Sequence, residues 1–309
     1  MGSVESGKVR ESRSCPVCNT KSSEAELFLR KSIDPSRIST FSFASRKRPE
    51  YMCHQLVKCP TCNLVYANDP PDQDVLNNAY HLADFDSAQE ADDAAVAYDL
   101  AMGPVLCRLK KRRSALEIGA GTGIFLETLK LRGFDSVQGV EPSLAAIASA
   151  PEHRQSWIRA SMFNEQDFQP ESFDLICCFM TLEHVLEPND IVSAASRLLR
   201  PGGAIALVTH DYTSSINRFF GKYSPIIDIE HMQLFSGQSL RHLLGQNGFH
   251  SIETLTFKNR YSLSYWSRLL PLPLVVKGAL ISGICSIGLG GVRLAFNVGN
   301  ILSFGFRPL

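Results

Sequence analysis

Two short patterns in this chain combine residue types and spacings that could do chemistry. The first is a doubled Cys-Pro-x-Cys-Asn, read at Cys15-Pro16-Val17-Cys18-Asn19 and again at Cys59-Pro60-Thr61-Cys62-Asn63. Two thiolates on one tight turn can face a single tetrahedral ion, and a second turn closes a four-sulfur shell. The Asn after each pair tolerates the left-handed backbone that such a turn needs. The pattern predicts a structural Zn2+ on Cys15, Cys18, Cys59 and Cys62. Iron in a four-thiolate centre uses similar turns, and sequence does not choose between the metals. Cys53 and His54 stand near the second pair with one partner each, so they are expected to be bystanders. The second pattern is Glu117-Ile118-Gly119-Ala120-Gly121-Thr122-Gly123. Glycines at alternate positions let the backbone turn sharply and approach a ligand closely. The spacing is GxGxG, unlike the GxGxxG of dinucleotide sites, and no Lys-Ser/Thr pair follows as a triphosphate site would require. Eighteen residues beyond Gly123 comes Glu141-Pro142-Ser143. A carboxylate there can accept hydrogen bonds from both hydroxyls of a ribose.

These residues need a frame to hold them. From Ser114 the chain alternates short apolar strands (Leu116–Ile118, Ser136–Val140, Trp157–Ile158, Phe173–Phe179, Ala204–Thr209, Phe249–Phe257) with amphipathic helices (Gly123–Leu131, Leu144–Ala150, Ile191–Leu199, Gln238–Gln246). Such alternation predicts an α/β fold, a Rossmann-like, doubly wound, mostly parallel sheet. Its ligands would sit at the carboxyl ends of the strands, where both the glycine turn and Glu141 fall. Around the second cysteine pair, Gln55–Lys58 and Leu64–Tyr66 read as a hairpin. The expected organisation is a zinc-ribbon-like module over residues 1–68, an acidic helical linker or lid over 69–113, a catalytic core over 114–260 and an apolar helical tail over 261–309.

The 309 residues carry 31 Lys plus Arg against 31 Asp plus Glu, so net charge is zero and an overall basic nucleic-acid binder is not expected. The zero averages unlike parts. Residues 1–60 hold eleven basic and six acidic groups, residues 59–107 hold nine acids and no Lys or Arg, and residues 261–309 hold Arg268, Lys277, Arg293 and Arg307 with no acid. Nine cysteines, an odd number, and an amino-terminal MGSVESGKVR without an apolar core predict a reducing, cytoplasmic setting in which paired cysteines bind metal.

From about Ser114 to Phe257 the chain resembles a class I S-adenosylmethionine-dependent methyltransferase. Four matches carry this, in the family's order: the turn at Glu117–Gly123, the acid at Glu141, Phe173-Asp174-Leu175-Ile176 running into Leu182-Glu183-His184-Val185, and Leu199-Arg200-Pro201-Gly202-Gly203. The resemblance implies that Glu117, Gly119, Ala120, Gly121 and Gly123 border the methionine part of S-adenosylmethionine, that Glu141 with Pro142 holds the ribose, and that Met162 or Phe163 flanks adenine. The acid often found beside adenine in the family is missing from Ala160-Ser161-Met162-Phe163. Methyl transfer from a sulfonium mainly needs alignment and exclusion of water. A hydroxyl acceptor would add a need for a base. His210, His231 and His184 are the candidates, with His210, at a strand end on the acceptor side, best placed. Tyr80 and Tyr98 could lid the donor or simply pack.

The tail, Gly278–Val292, is fifteen residues without charge, short of the roughly 18 that a spanning helix needs. Read as a helix, it puts Ser282, Ser286, Arg293, Asn297 and Asn300 on one face. It could close an acceptor pocket, form a dimer interface, or lie peripherally on a membrane surface. The expected reaction is methylation of a small-molecule, glycan or lipid-linked acceptor, most readily at a hydroxyl. Two alternatives stand beside it. One is a sugar C-methyltransferase, which the amino-terminal module suggests although the further carboxyl-terminal domain of those enzymes has no room here. The other is a zinc-ribbon nucleic-acid binder with an idle core.

Overall fold

The structure, a computed structural model, describes residues 13–43, 50–85, 88–270 and 272–309. The amino-terminal segment bearing on secretion lies outside them. In chain order the strands are β1 (Glu26–Leu29), β2 (Leu56–Lys58), β3 (Val65–Ala67), β4 (Ser114–Ile118), β5 (Ser136–Glu141), β6 (Ile158–Ala160), β7 (Phe173–Phe179), β8 (Leu199–His210), β9 (Gln233–Leu234), β10 (His250–Thr256), β11 (Asn259–Ser262), β12 (Arg293–Phe296) and β13 (Asn300–Phe306). The helices are α1 (Gln73–His81), α2 (Ala88–Ala101), α3 (Gly103–Arg108), α4 (Ile124–Leu131), α5 (Leu144–Ala148), α6 (Glu152–Gln155), α7 (Pro188–Leu198), α8 (Ser215–Phe220), α9 (Gly237–Gln246), α10 (Leu263–Leu269) and α11 (Leu274–Ser286).

The main sheet runs β10-β13-β8-β7-β4-β5-β6. All neighbours pair in parallel except β13, which is antiparallel to both β8 and β10. Strand period explains why the sheet is buried on both faces. Leu116, Ile118, Ile176, Cys178, Ile205 and Leu207 point into one core. The residues between them, Ala115, Leu175, Cys177, Ala204, Ala206 and Val208, point into the other. A fully buried leucine such as Leu116 contributes enough that truncation to alanine costs about 2–5 kcal/mol.

The tail is not a helix. Its helices are the short α10 and α11, and the last strand, β13, lies inside the main sheet between β8 and β10. Phe249–Phe257 is therefore not the last strand, and Arg293, Asn297 and Asn300 do not continue a helical face. Asn-Ile-Leu-Ser-Phe-Gly-Phe at 300–306 is buried throughout, so it lacks the half-exposed alternation by which strands are usually read. Residues 259–299 instead form an insertion, in which β11 pairs antiparallel with β12 around α10 and α11. It packs on α2, and its cations meet the linker's acids: Arg268 lies 3.5 Å from Glu90 and Arg293 2.8 Å from Asp93. Arg307 pairs with Glu171 at 2.8 Å, and Lys277 donates to the Arg268 carbonyl. Among the described residues no helix is long and apolar enough to cross a membrane.

The amino-terminal module shares a four-stranded sheet, β1-β2-β3-β9, with the core, because β9 follows the cavity segment. Arg13 ties the two together by donating to the carbonyls of Ala67 and Leu186, each at 2.8 Å, and to Gln233 Oε1 at 3.3 Å. Tyr212 donates to the Asn63 carbonyl at 3.0 Å.

Candidate active site

A cavity of about 610 Å³ lies along the carboxyl ends of β4, β5, β7 and β8. Its floor at one end is the glycine turn. Gly119, Gly121 and Gly123 all take positive φ, at 79°, 52° and 67°. A Cβ on Gly119 would lie 2.1 Å from Thr181 Oγ1, whereas one on Gly121 would meet nothing within 4 Å. The amides of Gly119 and Ala120 both donate to the Val140 carbonyl, which fixes the turn against β5. Glu141 completes this end. Its Oε2 accepts from the Gly121 amide and its Oε1 from the Ser143 amide, each at 2.8 Å. Burial pushes its carboxyl above the usual range, and the two amides pull the other way. Glu117, Gly119, Ala120, Gly121, Glu141 and Pro142 all line the cavity, as do Met162 and Phe163. Gly123 does not. It stands at the amino end of α4, where an added Cβ would lie 3.0 Å from Ile158. The open backbone over Gly121 and the anchored carboxylate fit an adenosyl ligand with a methionine moiety.

The three histidines converge at the other end of the cavity. The ring centroids of His184 and His231 are 4.9 Å apart, and those of His210 and His231 are 5.7 Å apart. Beneath them lies Glu183, which is fully buried. Glu183 Oε1 accepts from the His210 amide at 2.8 Å and from His210 Nδ1 at 2.9 Å. Burial alone would push the Glu183 carboxyl up, but His210, by charge and by hydrogen bond, with His231 and His184, outweighs it and holds the group at about 2. An ionised carboxylate can only accept, so Nδ1 of His210 carries the proton, and the residue also lines the cavity. His231 Nδ1 donates to the Ile226 carbonyl at 2.8 Å, and burial lowers its pKa. His184 Nδ1 lies 3.7 Å from Glu230 Oε2. Tyr80 packs edge-on to His184 and donates to the Glu230 carbonyl at 3.2 Å, while Tyr98 is core as well as cavity wall.

Sequence reasoning missed several of these neighbours. Glu183 was visible as an acid between Leu182 and His184-Val185, just beyond the mostly apolar β7, a position that implies a buried partner. Glu230 stood beside His231 in the same way. Tyr261, Tyr265 and Trp266, which line the cavity from the insertion, and Asn259 and Asn300, which also line it, carried no local signal. They reach the cavity only because β13 folds back into the sheet.

The four cysteines predicted to bind metal come together, with all sulfurs within 4.8 Å of one another. Cys15 and Cys62 are 3.5 Å apart, Cys18 and Cys59 3.4 Å. A tetrahedral Zn–S shell with bonds of about 2.3 Å sets sulfur separations of about 3.8 Å, so the donor set fits. Asn19 and Asn63 both have φ of 62°, and both turns close with an Asn amide donating to the first cysteine's carbonyl. Cys53 instead contacts Ser32.

Comparison with known proteins agrees with this geometry. The family model described as a methyltransferase domain matches residues 87–254, just over half of the chain. The ubiquinone biosynthesis O-methyltransferase of Methylococcus capsulatus is 34% identical over 117 residues, which cover 36% of this chain and 46% of that protein. The protein of the same name from Vibrio atlanticus is 29% identical over 116 residues, again 36% and 46%. The chain thus spans about half the length of these curated relatives. Among solved structures, a SAM-dependent methyltransferase from Archaeoglobus fulgidus aligns at TM-score 0.46 and 15% identity over 69% of this chain and 94% of that one. Phosphoethanolamine N-methyltransferase 2 of Haemonchus contortus, in complex with S-adenosyl-L-methionine, aligns at 0.44 and 18% over 69% and 52%. By the extent of the family match, the chain belongs to the S-adenosylmethionine-dependent methyltransferase family.

Proposed function

We propose that the protein transfers a methyl group from S-adenosylmethionine to a hydroxyl of a small-molecule acceptor, with His210 as base. The observation that carries this reading is the pair formed by buried Glu183 and His210 at the acceptor end of the cavity. When bound, S-adenosylmethionine supplies a methyl on a cationic sulfur, whose S–C bond breaks as the acceptor's O–C bond forms, leaving neutral S-adenosylhomocysteine. Glu141 holds the ribose, and the glycine turn admits the methionine end. His210 Nε2 takes the hydroxyl proton, and Glu183 keeps the ring in the tautomer that can do so. Tyr261, Tyr265 and Trp266 exclude water and give a planar acceptor an aromatic wall.

The relatives named O-methyltransferases support a hydroxyl acceptor. Sugar C-methylation is the alternative that an acceptor screen would separate. Four thiolates would hold Zn2+ as a structural ion that locks the module to the core through β3 and β9. We also propose a cytoplasmic location with peripheral contact to a membrane or lipid-linked acceptor, which exposed Val275 and Ile287 on the insertion support. Flotation with liposomes should recover wild-type protein and lose a Val275→Asp, Ile287→Asp variant. The central test is transfer of radiolabelled methyl to a panel of phenols, nucleotide sugars and polyprenyl-linked sugars. Labelling of a hydroxyl that His210→Ala slows by about 100-fold or more supports the reading. Labelling at carbon, or an unaffected rate, overturns it.

A further inference from the structure

The acceptor end of the cavity contains a second grouping that methyl transfer with His210 as base does not use. His184, Glu230 and His231 each offer a ligand atom, and the three atoms lie within 4.8 Å of one another. All three residues line the cavity, and they come from two separate segments, one after β7 and one before β9. We propose that they form a binding site for a divalent cation with two imidazole nitrogens and one carboxylate oxygen.

Three observations support the site. The first is geometry: metal bonds of about 2.0–2.2 Å place adjacent ligands about 3–3.5 Å apart. His184 Nδ1 and Glu230 Oε2 stand at 3.7 Å, within a few tenths of an ångström of that spacing, and the third ligand atom lies within 4.8 Å of both. The second is orientation. A metal-bound histidine usually donates its other ring N–H to a carbonyl or carboxylate, which fixes the tautomer and aims the lone pair. His231 does this, with Nδ1 donating to the Ile226 carbonyl, and its Nε2 is therefore the ligand atom. Tyr80 braces both remaining ligands, with its ring against His184 and its hydroxyl on the Glu230 backbone. The third is field. Seven carboxylates and no Lys or Arg line the cavity among the described residues, so a dication there is attracted rather than repelled.

A neighbouring trio, Glu183, His210 and His231, also falls within ligand distance. There the short bond between Glu183 and His210 occupies the atoms that an ion would need, and Glu183 does not line the cavity. Two nitrogens with one oxygen suit Zn2+, Mn2+, Fe2+ or Co2+ better than Ca2+ or Mg2+. Three protein ligands leave positions open for oxygen atoms of the acceptor. The site would thereby favour acceptors that present one or two oxygens to a metal beside the hydroxyl to be methylated. That consequence rests on the proposed methyl transfer, while binding of the ion does not.

The test uses Mn2+ as probe, because thiolates bind it poorly and the Cys15 cluster stays loaded with zinc. The full chain, purified with zinc, is titrated with Mn2+ and free ion is followed by electron paramagnetic resonance. S-adenosylhomocysteine binding is measured by calorimetry on the same samples. One Mn2+ per wild-type chain is expected, with affinity weakened at least tenfold in Glu230→Gln and in His231→Ala. Retained S-adenosylhomocysteine binding shows that each variant is folded. The site is refuted by a wild-type protein that binds S-adenosylhomocysteine and no Mn2+, or by Mn2+ binding that both variants leave unchanged. Failure of the methyltransferase reading would appear separately, as absent S-adenosylhomocysteine binding in the wild type.

Discussion

Replacing Gly119 by alanine tests the donor end of the cavity, because two separable costs fall on one atom. The residue has φ of 79°, where an L side chain costs about 1–2 kcal/mol. The added methyl would also lie 2.1 Å from Thr181 Oγ1 and 2.8 Å from its Cγ2, so Thr181 must move. Its hydroxyl donates to the Phe179 carbonyl at 3.0 Å, and losing that bond costs about 1 kcal/mol. An off-rotamer position adds ~1 kcal/mol. Gly119→Ala should therefore destabilise the protein by about 3–4 kcal/mol. In a Thr181→Ala background most of the clash is gone, and the same substitution should cost only the backbone part, ~1–2 kcal/mol. The coupling between the two sites is thus about 2 kcal/mol. Urea denaturation of the four proteins gives the cycle, and calorimetry with S-adenosylhomocysteine shows whether the turn still admits a ligand. Equal cost in both backgrounds would refute the close approach of Gly119 to Thr181. Unchanged ligand affinity in Gly119→Ala would refute the turn as the donor cradle.

Glu141→Ala should weaken S-adenosylhomocysteine binding by ~100-fold, as expected for two charge-assisted hydrogen bonds, read by the same calorimetry. Cys62→Ser should lower zinc content from one ion per chain to none in metal analysis and lower the melting temperature by on the order of 5–10 °C. Because Arg13 and β9 bind the module to the Leu186 and Gln233 segments, the loss should also reduce methyl transfer. Glu183 is held at about 2 against an ordinary 4.5. A carboxyl lowered in the folded state contributes stability above about pH 4.5, and loses it as pH falls toward 2. The melting temperature of the wild type should therefore exceed that of Glu183→Gln near neutral pH, and the two curves should converge on acidification. Parallel curves down to pH 3 would count against an ionised Glu183.

Local chemistry was legible where spacing alone determines it. The doubled cysteine turns, with their left-handed asparagines, and the positive-φ glycines before Glu141 are short-range features, and they fold as their residues dictate. The parallel pairing of β4 to β8 followed from alternating strands and helices, though their order in the sheet did not. What could not be read was long-range pairing. The fully buried β13 has no alternating pattern, so its segment passed for helix, and the insertion it closes hid the aromatic residues that line the cavity. The pairing of Glu183 with His210 spans 27 residues and exists only once β7 and β8 lie side by side.

The uneven charge along the chain has a consequence for how the cavity exchanges its ligands. The acids of α2 and the cations of the insertion are one electrostatic latch, formed by Glu90 with Arg268 and Asp93 with Arg293, and it ties together two elements whose other residues, Ala95 of α2 and Trp266 of the insertion among them, line the cavity. Each pair is partly exposed and contributes no more than about 1 kcal/mol, screened over ~8 Å at physiological salt. A latch of that strength makes ionic strength a control on opening. Release of S-adenosylhomocysteine should quicken as salt rises, while its equilibrium contacts at Glu141, buried away from the solvent ions, stay nearly constant.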